Sequence, residues 1–248
     1  MVNASNSTDE LPLFSNRFVT RLTAAILVIA LLSAAINLAA RYLGDALVTG
    51  SHSDSLADFD ITIGMDTLRL PANALRFASQ RHSGESERTD MALLWPEMTG
   101  YSRDNRNRFD DVALSDGLIF IQLSQSTMSR DMSGRLEPIY SHLFEGAAVP
   151  FDFGLVEHRL KPGTGFDGEV MLTAKRPGKT DYAVRCVLPA TEQQATSGDC
   201  QRDVRVGQDL TVLYRFSSRL LDDWNALDNR VLDYVTSRIR QGDPANLP

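Results

Sequence analysis

Apolar positions follow two different textures along this chain. From Leu22 to Ala40, LTAAILVIALLSAAINLAA, no charge interrupts the run, and Arg21 and Arg41 bracket it. A helix needs about 20 mainly apolar residues to cross a bilayer core, so the stretch predicts one transmembrane helix. Its polar members, Thr23, Ser33 and Asn37, can bond to backbone or to a neighbouring helix.

Beyond it the spacing shortens. Phe59, Ile61, Ile63 and Met65 alternate with polar residues, the pattern of a strand with one buried face. Leu68–Pro71 reads as a second short strand, Met91–Trp95 as a buried strand stopped by Pro96, and Gly117–Leu123 as a central strand. Short helices are expected within Tyr101–Asp111 and over Ser133–Glu145, the latter with Pro138 in its first turn. From Leu155 the chain predicts strands at Leu155–Leu160, Glu169–Ala174, Tyr182–Leu188, Asp203–Val206 and Leu210–Phe216, with glycine-rich connections. The stripe Leu220, Trp224, Leu227, Val231, Val235 and Ile239 predicts a long amphipathic C-terminal helix over Ser217–Gln241.

These elements define an α+β fold: an N-terminal transmembrane helix, then one domain with a mainly antiparallel sheet and the C-terminal helix. The expected organisation is a polar tail at 1–16, the membrane helix with its extension at 17–49, a linker at 50–57 and the domain at 58–248. Arg17 and Arg21 precede the apolar run, whereas Asp45, Asp54, Asp58 and Asp60 follow Arg41. That bias predicts a cytoplasmic N-terminus and an outward-facing, periplasmic domain at a bacterial inner membrane. A cleavable signal is the competing reading, since Ser33-Ala34-Ala35 resembles a cleavage site. The long leader with Asp9 and Glu10, and a run that continues past that site, favour an uncleaved anchor.

Composition narrows the function classes. With 43% hydrophobic and 23% charged residues, the 248-residue chain is of folding type, and its net charge of −7 lacks the basic field of a nucleic-acid binder. Cys186 and Cys200 would form a disulfide outside the cytosol, closing a loop worth about 3 kcal/mol.

No catalytic, metal or cofactor site is readable. His52, His82, His142 and His158 are scattered, and there is no nucleophile elbow, phosphate loop or dinucleotide fingerprint. The carboxylates Asp58, Asp60 and Asp66, then Asp110 with Asp111 and Asp222 with Asp223, are expected at the surface or at caps, like the His142–Glu145 pair. Arginines concentrate over 69–108. If 158–161 and 175–179 meet across a hairpin, Arg159, Lys161, Lys175, Arg176 and Lys179 form a positive patch for an acidic partner or anionic head groups; otherwise they are a solvated hairpin end. The loop 124–135, SQSTMSRDMSGR, is either a binding loop or a plain connector. Within the membrane helix, Ala30, Ala34 and Asn37 could let a second helix approach.

The runs Leu70–Phe77 (LPANALRF), Leu93–Pro96 (LLWP) and Met128–Arg135 (MSRDMSGR) resemble those of uncharacterised, membrane-anchored proteins of α-proteobacteria. The resemblance implies an inner-membrane, periplasm-facing location and carries no activity. The expected function is a non-catalytic, membrane-tethered binding or accessory module of the cell envelope, its partners being the lipid bilayer and an envelope protein. The alternative is a membrane-anchored hydrolase acting on an envelope substrate.

Overall fold

The computed structural model describes residues 16–48 and 52–240. Residues 1–15 of the predicted tail, residue 49 at the end of the predicted helix extension, residues 50 and 51 of the linker, and Gln241 with the residues after it lie outside the described residues. The chain divides at Ser51 into two compact units.

The first unit carries one helix, α1 (Asn16–Val48), which spans about 50 Å at 1.5 Å per residue. Its stretch Thr20–Leu38 is long and apolar enough to cross a membrane, and none of it is buried. Within Thr20–Leu38, leucine and alanine without a proline or glycine favour helix. Ile29, Leu31 and Ile36 are all largely exposed, so the apolar surface runs around the helix rather than along one stripe.

The second unit is built on two sheets. The strands are β1 (Asp58–Ile63), β2 (Asp66–Pro71), β3 (Gly84–Glu85), β4 (Arg88–Leu94), β5 (Leu118–Gln125), β6 (Phe144–Pro150), β7 (Val156–Leu160), β8 (Val170–Ala174), β9 (Tyr182–Cys186), β10 (Cys200–Val206) and β11 (Leu210–Phe216). A one-turn-plus helix, α2 (Arg106–Asp110), and the C-terminal helix α3 (Trp224–Thr236) complete it. The small sheet has the order β2-β1-β3, and the large one runs β4-β5-β11-β10-β9-β8-β7-β6, antiparallel at every pairing. The α+β architecture with a large antiparallel sheet and an N-terminal apolar helix is therefore as the hydrophobic pattern predicts.

Alternation sets the core face. Ile119, Ile121 and Leu123 of β5 are buried, and the register places Ile121 opposite Tyr214 and Leu123 opposite Val212 of β11. Leu227, Val231 and Val235 of α3 join the same core. The helix is shorter than its stripe suggests. Ser218–Asp223 winds as a 3₁₀ turn begun by the Ser217 side chain, and after Thr236 the chain turns through Ser237 and Arg238 into a bridge at Ile239. There Arg69 N–H donates to Arg238 O and Arg240 N–H to Thr67 O, which pairs the open edge of β2.

Ser133–Glu145 is not an α-helix. Pro138 lacks an N–H, Ser133 donates its hydroxyl to Asp181 O, and the segment makes turns and a short 3₁₀ stretch at Tyr140–Leu143 before entering β6. Its apolar residues Leu136, Leu143 and Phe144 still pack with Met132, Tyr140 and Met171 in a second cluster.

Two hairpin turns hold the sheets together. Asp66, buried, accepts the N–H groups of Gln208 (2.9 Å) and Asp209 (3.0 Å), and Asp209 in return accepts Met65 N–H (2.9 Å) and Gln125 Nε2 (2.7 Å). Each turn carries Gly-x-Asp with its glycine at positive φ, Gly64 at 58° and Gly207 at 60°. The glycines also allow the approach, since a Cβ on Gly64 would lie 2.6 Å from Asp209 Oδ2. The Met65 N–H, then Gln125, hold the Asp209 carboxyl below the ordinary carboxylate range.

Asp66→Ala orphans two enclosed N–H groups and should cost about 2–4 kcal/mol in urea unfolding. Gly64→Ala should also destabilise. Because the Asp209 pKa is depressed by folding, its contribution is present above the ordinary carboxylate value (~3.9) and lost as pH falls through the lower folded value. Asp209→Asn should therefore flatten that acid limb of the stability profile.

Candidate functional site

The ionisable side chains are mostly committed to the fold. Asp60 pairs with Arg69 (2.9 Å) and Arg240 (3.3 Å), Asp110 with Arg106 (2.9 Å), and Asp111 accepts Ala113 N–H (2.9 Å). In the arginine-rich stretch, Arg88 pairs with Asp90, Arg103 with Asp54 and Arg108 with Glu97, while Arg81 donates to the carbonyls of Ala72 and Leu75. His52 stacks on Tyr101 beside Phe109, and burial lowers its pKa. His158 stacks on Phe144 and meets Thr173 Oγ1 (3.0 Å), and burial again lowers its pKa. Among the described residues, no group of three His, Cys, Asp or Glu side chains could hold a metal ion.

The densest polar cluster is sealed inside. Between β9 and β10 only two residue pairs are in register, Cys186↔Cys200 and Arg185↔Gln201, before the strands part. Arg202 fills the split, its Nη1 donating to Ala183 O (2.7 Å) and Ser133 Oγ (2.9 Å). Its Nε donates to Asp228 Oδ1 (2.9 Å), which also accepts Tyr214 Oη (2.7 Å), and Arg176 Nη1 donates to Asp228 Oδ2 (2.5 Å). Burial pushes the Asp228 carboxyl up, but the charge of Arg202 and hydrogen bonds from Tyr214, Arg202 and Arg176 outweigh it and hold the pKa below the usual value. Burial raises the pKa of Tyr182 and Tyr214, so both stay neutral. With Arg202 1% and Asp228 0% exposed, no substrate reaches these groups. The cluster is structural.

The disulfide predicted between Cys186 and Cys200 is present, across the rung next to the split, with Cα atoms 4.1 Å apart. The loop 124–135 is no plain connector: Met132 N–H donates to Asp203 O, and Arg135 pairs with Asp203. The five basic residues expected to meet across a hairpin are divided. Arg159 and Lys161 sit at the β7–β8 end, where Arg159 pairs with Val170; Lys175, Arg176 and Lys179 sit at the β8–β9 turn, beyond the Ala174–Tyr182 pair. Lys175 pairs with Asp181, Lys179 donates to Asn229 Oδ1, Lys161 donates to His142 O, and Arg176 lies inward on Asp228. In α1, Ala30, Ala34 and Asn37 are exposed, and at spacings of four and three they share one face.

A different surface stands out, a cleft of about 770 Å³ between the β6–β7 hairpin, the chain after β9 and the 3₁₀ turn before α3. Phe151, Phe153, Leu188, Pro189 and Leu221 make its apolar walls. Asp152, Glu192 and Asp222 stand exposed around them, and among the described residues none is in an ion pair. Arg219 is held by Asp116 Oδ2 (2.6 Å) and Glu192 O (3.1 Å). At the hairpin tip Leu155 N–H donates to Asp152 O, and both central residues have positive φ, Phe153 at 62° and Gly154 at 75°. That turn type prefers Asn-Gly. Phe153 is nevertheless 54% exposed, and Trp224 Nε1 donates to Phe153 O (3.1 Å). Sequence reasoning missed this cleft; the one readable signal was phenylalanine before glycine in a short hairpin loop.

The fold class is thus an α+β domain with an eight-stranded antiparallel sheet, accompanied by an apolar helix. The chain matches no family model and no curated protein. Similar solved structures include Smlt3025, an immunity protein of the Stenotrophomonas maltophilia type IV secretion system, at 15% identity and a TM-score of 0.50, covering 76% of this chain and 94% of that one. The Neisseria meningitidis iron-regulated outer membrane lipoprotein FrpD matches at 12% identity and a TM-score of 0.46, over 77% of this chain and 95% of its own. At this identity the likeness to Smlt3025 is one of fold.

Asp228→Asn leaves two inward arginines without their counter-charge and should destabilise the domain by about 3–5 kcal/mol, read as a lower urea midpoint. Lys179→Ala, which removes a contact at the surface, should change stability by less than about 0.5 kcal/mol.

Proposed function

We propose that the chain is a membrane-tethered, non-catalytic binding module of the bacterial cell envelope, anchored in the inner membrane with its domain in the periplasm. The observation that carries this reading is the apolar stretch Thr20–Leu38, exposed on every side, in front of a domain closed by a disulfide. A bilayer would cover such a helix, and an oxidising compartment would preserve the bond. Arg17 and Arg21 before the span favour a cytoplasmic N-terminus. Ala30, Ala34 and Asn37 offer a face on which a second membrane helix could pack.

A binding role agrees with the chemistry of the domain. Its sealed Arg–Asp–Tyr cluster is spent on structure, and a cleft with apolar walls and an acidic rim lies open at the surface. Smlt3025, with which it shares a fold, is an immunity protein, and a partner-holding role suits that architecture.

Alkaline phosphatase fused after Arg240 should be active in cells, the protein should resist alkaline extraction from membranes, and Cys186 and Cys200 should resist alkylation until reduced. An inactive fusion, free thiols, or release of the domain to the soluble fraction would each overturn the proposal.

A further inference from the structure

The cleft at the β6–β7 hairpin tip has three properties that fold stability does not ask for. First, Phe153 holds a left-handed backbone that a bulky residue adopts at a cost, in a turn where asparagine would fit without strain. Second, the residue so placed stays more than half exposed, while its backbone carbonyl is fixed by Trp224, whose own ring packs on Tyr182 at 4.5 Å. An exposed aromatic on an anchored turn is pre-ordered for contact, which lowers the entropic cost of association. Third, the apolar walls are ringed by Asp152, Glu192 and Asp222, carboxylates without ion-pair partners among the described residues, and Arg219, the cation at the cleft, is neutralised by Asp116.

Such a groove complements one kind of surface. An apolar side chain can enter between Phe151, Phe153 and Leu188, while flanking cations meet the carboxylates at the rim. We infer that this cleft is the docking site of the binding module proposed above, and that it takes a segment of a partner protein in which an aliphatic or aromatic residue is flanked by lysine or arginine. The rim charges steer the encounter, so association is salt-dependent, and the Phe153 ring carries most of the affinity.

The test uses the full chain in nanodiscs of zwitterionic lipid and a labelled short peptide of alternating lysine and leucine. Analogues with glutamate or serine in place of lysine serve as comparisons. Saturable binding that weakens with salt, and that falls by about tenfold or more in Phe153→Asn and in the combined Asp152→Asn, Glu192→Gln, Asp222→Asn variant, supports the assignment. Phe153→Asn should keep or raise the melting temperature, because asparagine tolerates the turn. Equal binding of the glutamate peptide, indifference to both variants, or the same binding by empty nanodiscs overturns it. A Phe153→Asn variant that melts well below the parent chain would make the ring a packing residue and also overturns it. Self-association of the chain abolished by Phe153→Asn would make the occupant a second copy instead. The titration reads the cleft in whichever compartment the domain resides, whereas the phosphatase fusion reads the compartment whatever the cleft binds, so failure of one is separable from failure of the other.

Discussion

The carboxylate of Asp228 couples the C-terminal helix to the large sheet. It sits on α3, yet its partners come from β10, β11 and the β8–β9 turn, and through Arg202 the network reaches Ser133 and the carbonyl of Ala183. Opening the ladder between β9 and β10 would normally leave backbone groups dry and unpaired. Here a guanidinium, with its fixed fork of donors, substitutes for the missing rungs on one side while the segment at Met132 and Ser133 supplies the other. The disulfide clamps the last closed rung beside the split. Helix, split and inserted segment therefore stand or fall with one ionised group.

That dependence explains which parts of the fold were legible in advance. Strands β5 and β11 alternate cleanly because their inward positions are filled by Ile, Leu, Val, Tyr and Phe. The hydrophobic pattern puts the start of β10 at Asp203, three residues late, because the inward residue Arg202 breaks it. Its counter-charge lies 26 residues further on, and nothing local announces it. For the same reason Arg176 reads as a surface cation when its partner, 52 residues away, draws it inward. Strand β6, FEGAAVP, is exposed along nearly its whole length and has neither alternation nor periodicity to show. The two Gly-x-Asp turns were a detectable sign, since Ile63-Gly64-Met65-Asp66 and Val206-Gly207-Gln208-Asp209 share a pattern, but only the fold reveals that each aspartate serves the other's turn.

The distribution of charge shows a related asymmetry. An arginine-rich stretch in an acidic protein invites a search for an anion site, but most of those guanidiniums are matched to a nearby carboxylate or carbonyl. Arginine suits such service because its planar fork bonds two acceptors at once. With carboxylates in excess overall, 32 acidic against 25 basic residues, it is acidic groups that remain over at the surface. The basic clusters legible in the sequence are thus largely engaged within the fold. The surface that departs most from what stability requires is acidic and aromatic.

Local and global preference disagree at the β6–β7 tip. The requirement of a tight turn with positive φ at both central residues is met without strain by Asn-Gly. Phe153-Gly154 meets half of it. Where a chain violates a local rule, the compensation can come from packing, but a residue that is 54% exposed recovers only part of what burial would provide. Trp224 restrains the backbone without covering the side chain, so the strain is held by the same helix whose Asp228 organises the core. The helix that stabilises the domain therefore also fixes the posture of its most exposed aromatic residue, and any change that loosens α3 should loosen the cleft before it unfolds the sheet.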